Sequence, residues 1–594
     1  MADSPATAST TAPSASTDYS QWDQSQLISR ISELESQLKS LSLQRRSPSR
    51  ESSPARGISS KKFRPIDSSK YSTRFIALKF AYLGQNYNGL EHANGNITPL
   101  PTIEEEVWKA LVKCRLIFPP RAAEYNPLVP VDRTKAFDLD WEGCEYSKCG
   151  RTDRGVSAFG QVIGIRVRSA RPKPKEKIAN SEEIAADAQE GSSAAEDDPF
   201  GGFAESEPEE EPWDDIADEL PYLQILNNVL PEDIRVLAWC PHPPPGFDAR
   251  FSCRERRYKY FFTNPAFSPT PGPLGFRRTA KDSSAHNLRE GWLDIDAMRK
   301  AAKYLEGEHD FRNFCKVDPS KQIKNHVRKI YYANIERLDP ATSPLAYLAR
   351  DEFLPTEACN SNAIVENSIK SASTEVYTFT VHGSAFLWHQ VRQMVGILFL
   401  VGQGLEAPEI VTQLLDVEKM PRRPAYDLAS DAPLVLWDTI FPDESTGSRE
   451  DALDWVYAGD PRTLNQRTGS SDGKFGQNST VDKLWSVWRK RKIDEILAGA
   501  LLNEVVQQGD KSSIERGGFR NADPKLLDRH PKTWVGGNGG KVSGKYLPVM
   551  QKPRTDTPEE INARYAAKKE KKLADRAAAA AAAADADADA DAAA

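Results

Sequence analysis

The residues of this chain best suited to chemistry are a carboxylate set between two guanidinium groups. Asp153 stands between Arg151 and Arg154, and Gly155 follows them. The two cations would keep the carboxylate ionised, and an ionised carboxylate can act as a nucleophile or as a base. An Asp on a turn of this kind, with a Gly after the charged residues, is more often a turn residue whose side chain bonds its own backbone. Taken alone, these residues leave both interpretations open.

The cysteines and histidines do not indicate a metal site or a disulfide framework. The seven Cys residues include no CxxC pair, and the eight His residues form no HxxxH or HExxH pattern. Zinc sites usually show such spacing, and disulfide-rich domains show paired cysteines. We therefore expect no metal and no cofactor, in a protein that works in a reducing compartment.

Charge is distributed unevenly along the chain. The formal net charge is −7, which by itself argues against a nucleic-acid partner. Residues 181–215 hold fourteen Asp and Glu residues with no Lys or Arg, and residues 577–594 add four Asp. The rest of the chain is therefore basic, as expected of a protein that binds a polyanion. The acidic segments themselves need no role beyond solvation.

Composition separates blocks that can bury a core from polar stretches that cannot offset the entropy of ordering them. Apolar runs stay well short of the ~20 residues that a membrane span needs, so we expect a soluble, intracellular protein. The predicted organisation is a disordered N-terminal region at 1–69 with an amphipathic or coiled-coil helix at 22–42, a folded first half at 70–170, an acidic low-complexity insertion at 171–217, a folded second half at 218–442, and a C-terminal extension at 443–594 that is partly helical and largely flexible.

Hydrophobic periodicity predicts both strands and helices in the two folded halves. Thr102 and Glu105 have the spacing of a capping box, which predicts a helix that begins there. The elements follow without a strict strand–helix–strand alternation, which indicates an α+β fold with a largely antiparallel sheet. Strands are predicted at 74–82, 161–168, 234–239, 256–263, 326–337, 375–382 and 434–441, and further helices at 223–229, 293–306, 386–403, 407–416, 483–507 and 557–576.

Segments throughout both halves resemble the TruA-type tRNA pseudouridine synthases. The run from Gly150 to Val156 (GRTDRGV) is similar to the signature of that family. Other segments match in the correct order and together cover nearly all of 74–170 and 220–442. They are YLGQNYNG at 82–89, LNNVLPEDIR at 226–235, FDARFS at 247–252 with RYKY at 257–260, HDF at 309–311, AFLWHQVRQMVG at 385–396 and APLVL at 432–436.

The resemblance implies a fold and a substrate. The fold is the pseudouridine synthase fold, a mainly antiparallel mixed sheet flanked by helices, in two halves around a central RNA-binding cleft. Residues 89–91 (GLE), Ser157, the leucine-rich segment 22–42 and the tail 545–554 are similar to the eukaryotic branch that acts on positions 38 and 39. We therefore expect an isomerase that binds the tRNA anticodon arm, forms a homodimer, contacts no membrane, and works in the nucleus and cytoplasm, with a mitochondrial share left open.

The resemblance also implies roles for five residues. Asp153 matches the catalytic carboxylate, and Arg392 matches the basic residue that pairs with it. Tyr258 matches the tyrosine that packs on the uracil, Leu434 matches an apolar residue of the same pocket, and Arg151 would hold the RNA or the flipped nucleotide. Asp153 could attack C1′, add to C6 or remove the 2′ proton, and the sequence does not choose between these routes.

Three alternatives remain from the sequence. The chain could be a non-catalytic RNA-binding protein on the same fold, or a TruA-type synthase with a different target uridine. It could also be a hydrolase or nuclease built on acidic residues, which would need a divalent ion. An Asp153 variant that binds RNA but forms no product would exclude the non-catalytic alternative. Full activity in the presence of a chelator would exclude the metal-dependent hydrolase or nuclease.

Overall fold

Strand pairing between distant segments joins the two halves of the fold in a computed structural model of the chain. The structure describes residues 67–123, 125–127, 129–173, 213–268, 276–278, 287–289, 291–339, 375–443, 445–446, 448–464, 474–508, 532–537, 540–542 and 546–592. The helix predicted at 22–42 and most of the acidic insertion lie outside these residues. Within them, no helix is long and apolar enough to cross a membrane.

Ten of the described strands form one sheet, and short hairpins pair the others. The sheet order is β12-β4-β1-β3-β11-β5-β10-β9-β8, with β2 paired to β3, and the hairpins are β6–β7 and β13–β14. The strands are β1 (Ser72–Tyr82), β2 (Ser147–Lys148), β3 (Ser157–Ser169), β4 (Ile234–Cys240), β5 (Glu255–Asn264), β6 (Phe276–Arg278), β7 (Asn287–Arg289), β8 (Gly307–Asp310), β9 (Val327–Arg337), β10 (Glu375–Gly383), β11 (Leu434–Ile440), β12 (Val456–Tyr457), β13 (Lys532–Trp534) and β14 (Gly540–Val542).

All neighbours in the large sheet are antiparallel except β3 and β11. Val435 and Leu436 of β11 pair with Ser157 and Ala158 of β3 in the parallel sense. We call this pairing the parallel seam. Because parallel strands start at the same edge of a sheet, the chain entering β3 and the chain entering β11 lie side by side. The α+β class and the mainly antiparallel mixed sheet are therefore confirmed.

Helices cover the sheet in both halves. The helices of the described residues are α1 (Ile103–Lys113), α2 (Tyr222–Asn227), α3 (Ile295–Lys303), α4 (Gln390–Gly402), α5 (Ile410–Leu415), α6 (Thr480–Gln507) and α7 (Pro558–Ala592). One core lies between β1, β3 and β4 and the helices α1 and α2, and a second core lies around α3, α4 and α5. Each large apolar side chain buried in these cores stabilises the fold by roughly 1.5–3 kcal/mol.

Half of the predicted capping box forms at α1. The Thr102 side chain accepts a hydrogen bond from the backbone N–H of Glu105 at 3.2 Å. The Glu105 carboxylate does not return to the backbone of Thr102 but pairs with Arg133 at 2.8 Å and with Lys109. Hydrogen bonds between charged groups are stronger than neutral ones, so the two cations take the carboxylate that the box would have used.

The helix predicted at 386–403 begins later, at Gln390. His389 has a φ of 62°, a left-handed conformation that an α-helix cannot continue through. The backbone N–H of Leu387 instead bonds the Gln390 side chain at 2.8 Å, which fixes a short loop before the helix. The prediction of helix at 386–389 was wrong, and the correction leaves Trp388 and His389 in a loop.

Parts of the chain beyond residue 442 belong to the folded body, which the sequence did not predict. β12 joins the edge of the large sheet. The ring of Trp534 lies 4.2 Å from that of Phe399 in α4, and its backbone N–H bonds the Gln403 side chain at 2.9 Å. Val549 is fully buried in the same core. α7 also extends past the predicted end at residue 576, through an alanine-rich stretch that favours helix.

Trp534→Ala should therefore lower the free energy of unfolding by about 3–5 kcal/mol, because it removes a large buried side chain from the second core. Denaturant unfolding measures the change. Trp292→Ala is the matched control, since Trp292 is 41% exposed, and it should change stability by less than about 1 kcal/mol. Equal effects of the two substitutions would show that the Trp534 segment does not support this core.

Candidate active site

Asp153 lies in the loop between β2 and β3, and the turn after β1 holds the backbone of this loop. The N–H of Leu90 bonds the carbonyl of Thr152 at 3.1 Å, and the N–H of Gly155 bonds the carbonyl of Tyr87 at 3.4 Å. The hydroxyls of Tyr82 and Thr152 are 2.6 Å apart. The segment at 82–89, which the sequence singled out without a role, is thus the support on which the Asp153 loop rests.

Two glycines of that turn allow the close approach. Gly84 and Gly89 face the loop so tightly that a Cβ would lie 2.0 Å from the carbonyl oxygen of Val156 and 2.8 Å from that of Thr152, respectively. Gly89 also has a φ of 86°, which favours glycine. Any larger residue would have to displace the backbone on either side of Asp153.

The other end of the loop is held from β3 and β5. The Gln161 side chain, fully buried, accepts from the N–H of Gly150 at 3.2 Å and donates to its carbonyl at 2.9 Å. The Arg256 guanidinium donates to the carbonyl of Cys149 at 3.0 Å. Asp153 therefore projects from a loop whose backbone is fixed on both sides.

The Asp153 carboxylate faces the segment that leads into α4. The indole Nε1–H of Trp388 donates to Oδ1 at 3.2 Å. His389 Nε2 is 3.4 Å from Oδ2, and Arg392 Nη1 is 3.9 Å from the same oxygen. Arg392 is fixed by a bond from its Nε to the carbonyl of Ala429 at 2.8 Å. These partners come from the second half of the fold, whereas Asp153 belongs to the first.

Arg392 is the only residue of α4 that is not fully buried. Its side chain is 13% exposed, and that of Asp153 is 27% exposed. A charge so nearly enclosed in an apolar helix needs a partner of opposite sign. Asp153 is that partner across the cleft, and the remaining exposure leaves one side of its carboxylate open.

The carboxylate opens into a cleft of about 1180 Å³. Tyr258, Phe386 and Leu434 form an apolar patch on its wall, with the rings of Tyr258 and Phe386 edge to face at 5.1 Å. Lys and Arg outnumber Asp and Glu among the lining residues, nine to five. The cations are Lys148, Arg151, Arg154, Arg250, Arg256, Lys316, Lys321, Arg328 and Arg392. Such a cleft suits an anionic ligand with a flat ring.

The structure places all five residues to which the sequence assigned a role around one cleft. Asp153, Tyr258, Arg392 and Leu434 line one cleft, because the parallel seam sets the start of β11 beside the loop before β3. Arg151 lies on the cleft wall, but its Nε pairs with Glu91 at 3.1 Å. The ion pairs of Asp153 go to the segment before and within α4. Among the described contacts, neither Arg151 nor Arg154 forms an ion pair with Asp153.

Trp388 and His389 are the contacts of Asp153 to which the sequence assigned no role. Both stand in the segment that resembles the family, but helical periodicity placed them inside a helix. The sequence offered one signal for their exposure, because these two side chains carry N–H groups at the start of an otherwise apolar run. They cannot both pack into the core that the following helix faces.

The ionisation states around the carboxylate follow from burial. Burial lowers the pKa of His389, while the charge of Asp153 raises it and the cations Arg392, Lys316 and Arg423 lower it. The imidazole is therefore neutral at neutral pH and can donate through one nitrogen only. Burial raises the pKa of Tyr258 well above its ordinary range, so its hydroxyl stays protonated.

Comparison with known proteins gives the family. The family model described as tRNA pseudouridine synthase matches residues 301–442. The tRNA pseudouridine(38/39) synthase of Saccharomyces cerevisiae is 33% identical over 93% of this chain and 93% of its own length. This chain belongs to the tRNA pseudouridine synthase family. Its enzymatic class is therefore an isomerase.

Other members of the family match in part. The tRNA pseudouridine(38/39) synthase of Homo sapiens is 32% identical over 75% of this chain and 71% of its own length. The tRNA pseudouridine synthase A of Delftia acidovorans is 30% identical over 41% of this chain and 78% of its own length. The bacterial protein thus matches a smaller share of this chain than either eukaryotic synthase does.

Gly89→Ala should slow pseudouridine formation at least about tenfold, because the added Cβ displaces the backbone of the Asp153 loop. Gly95→Ala is the matched control. Gly95 also has a positive φ, 77°, but nothing lies within 4 Å of its Cβ position. Both substitutions strain the backbone, but only Gly89→Ala displaces the Asp153 loop. Single-turnover rates on tRNA therefore distinguish displacement of the loop from strain alone. Equal rates in both variants would contradict the support that the β1 turn gives to this loop.

The His389 imidazole should titrate below its ordinary pKa of 6.5. Asp153→Asn should lower this pKa further, because it removes the charge that favours the imidazolium. Chemical shifts of ¹³C-labelled histidine, assigned through His389→Gln, measure both midpoints. Since the folded state disfavours the charged form, His389 contributes stability above pH 6.5 that is lost as the pH falls through the folded-state pKa. An upward shift in Asp153→Asn would contradict the contact between the two side chains.

Proposed function

We propose that this chain converts uridine to pseudouridine at positions 38 and 39 of the tRNA anticodon arm, with Asp153 as the catalytic carboxylate. The observation that carries the proposal is the placement of Asp153. It is the carboxylate of the GRTDRGV segment, it lies on a fixed loop, and it faces a basic cleft with one side open. The names of the relatives from yeast and human, which specify positions 38 and 39, support the target.

The reaction proceeds in stages. The C1′–N1 bond breaks, the uracil turns while it stays bound, and a new bond joins C1′ to C5; C5 then loses its proton and N1 gains one, so that the product is an isomer of the substrate. Asp153 could attack C1′, add to C6 or remove the 2′ proton. Each route needs an ionised carboxylate within reach of the nucleotide, and Arg392 stabilises that ionised form. The geometry serves all three routes, so the choice between them stays open.

The uracil must leave its stack to reach Asp153, at a cost of a few kcal/mol. The apolar patch of Tyr258, Phe386 and Leu434 offers the flipped base a surface to pack on, which offsets part of that cost. Tyr258 serves here through its ring. Its hydroxyl is held protonated by burial and is therefore poorly suited to act as a base at neutral pH.

The cations of the cleft wall are suited to the phosphates on either side of the flipped nucleotide. Arg151 and Lys148 both pair with Glu91, at 3.1 and 3.2 Å, so this wall carries a linked set of charges. In this role Arg151 contacts the RNA backbone, and Arg392 forms the ion pair with the carboxylate of Asp153. The homodimer and the nuclear and cytoplasmic location stay predictions from the sequence.

Asp153→Asn should lower the rate of pseudouridine formation by at least about a thousandfold, because an amide cannot supply the charge or the basicity of a carboxylate. Affinity for tRNA should change less than about threefold. Product formed from radiolabelled tRNA under single-turnover conditions, together with a binding titration, measures both quantities.

Asp248→Asn is the matched control for this substitution. Asp248 lines the same cleft, and its Oδ1 accepts from the N–H groups of Arg250 and Phe251, which an Asn oxygen can also do. This variant loses the same charge and should keep the wild-type rate within about threefold. Asp153→Asn with wild-type activity would refute the catalytic assignment, and unmodified uridines 38 and 39 beside another modified uridine would refute the target.

A further inference from the structure

Trp388 is exposed in the cleft and yet firmly held. Its side chain is 41% exposed, so it does not serve as a core residue. The Lys316 ammonium lies 4.5 Å from the centre of its ring, and the Lys316 N–H bonds its carbonyl at 3.0 Å. Its ring also contacts that of His389 at 4.8 Å. A large aromatic side chain left in a water-filled cleft and anchored on its face suggests a function in the cleft.

Backbone hydrogen bonds hold the loop that carries Trp388. His389 takes a left-handed φ of 62°, and Leu387 and Gln390 exchange hydrogen bonds of 2.8 and 3.1 Å. The loop begins at Ser384, whose N–H bonds the carbonyl of Lys329 in β9 at 3.0 Å. The indole is therefore fixed through its backbone as well as through its ring.

The distances around Asp153 are unequal. Only the 3.2 Å bond from Trp388 to Oδ1 falls within ordinary hydrogen-bond length among the side-chain contacts of Asp153 in the described residues. Arg392 approaches Oδ2 at 3.9 Å, which gives electrostatic attraction but little direction, and the neutral His389 imidazole lies 3.4 Å from the same oxygen, beyond ordinary hydrogen-bond length. A carboxylate held by attraction alone can rotate about its Cβ–Cγ bond. The indole N–H is the contact that fixes this rotation.

We propose that Trp388 is a positioning residue for the reaction. Its N–H orients the carboxylate of Asp153, so that the open side of that group meets the flipped nucleotide at a constant angle. Arg392 supplies a positive charge beside the carboxylate, and Trp388 supplies the direction. This inference rests on the proposed catalytic function of Asp153.

Trp388→Phe tests the proposal because it keeps an aromatic ring beside Lys316 and removes the N–H. The single-turnover rate at saturating tRNA should fall about 10–100-fold, the range expected when a reacting group loses its alignment. The dissociation constant for tRNA should stay within about threefold. Trp388→His, which offers a ring N–H at the same position, should recover part of the lost rate.

Trp437→Phe is the matched control. Trp437 is 38% exposed and carries Lys259 over its ring at 4.4 Å, but it lies outside the cleft. Its substitution should leave rate and affinity at wild-type values. Thermal unfolding of all variants shows whether each one is folded. If Trp388→Phe does not fold, the rate and the affinity of Trp388→His against the wild type test the proposal.

The other outcomes contradict the proposal in distinct ways. A wild-type rate in Trp388→Phe would overturn the positioning role. Weakened tRNA binding with a normal rate at saturation would make Trp388 a stacking surface for a base instead. A Trp388→His rate no better than that of Trp388→Phe would show that the ring N–H is not what matters. An active Asp153→Asn enzyme would refute the proposed function itself, which is a separate failure.

Discussion

The parallel seam between β3 and β11 is the constraint on which the rest of the site depends. Two short stretches, Ser157–Ala158 and Val435–Leu436, pair in parallel, whereas the other neighbouring strands that the structure describes in this sheet are antiparallel. Parallel pairing places the loop before β3 and the start of β11 at the same edge. The Asp153 loop of the first half therefore meets the second half directly, and each of the contacts made by its carboxylate crosses between halves.

In this arrangement, different parts of the fold hold the backbone of the Asp153 loop and the Asp153 carboxylate. The backbone of the loop is held mainly by the first half, through the glycine turn after β1 and Gln161, with one further bond from Arg256 of β5. The carboxylate itself is contacted by three residues of the second half, Trp388, His389 and Arg392. The guanidinium of Arg392 is itself nearly enclosed and its Nε is bound to the carbonyl of Ala429, which holds the cation in the cleft. A rigid loop and an enclosed cation together keep the charge in place while one face stays open.

Much of the fold could be predicted from local patterns. The strands β1, β3, β4, β5, β9, β10 and β11 follow from runs of β-branched and aromatic residues, and their bounds in the structure differ by only a few residues from those predicted, except at the start of β3. The start of α4 was misplaced, because hydrophobic periodicity continues through Phe386 and Leu387 although His389 turns left-handed. Trp534 and Val549 were missed because single apolar residues in a polar stretch have no period to detect.

The sequence by itself determined the family, the mixed sheet, the residue proposed for catalysis and Arg392 as its partner, because GRTDRGV and the other matching segments are each contiguous and are read without knowing the fold. Tertiary structure alone decided the contacts of Asp153 with Trp388 and His389. Trp388 lies 235 positions from Asp153 along the chain, and no local pattern encodes a contact over that separation. Strand pairing at the parallel seam closes that separation, and a left-handed residue ahead of α4 then turns the indole towards the carboxylate. Local sequence fixes which groups are present, whereas the long-range pairing of strands fixes which of them meet.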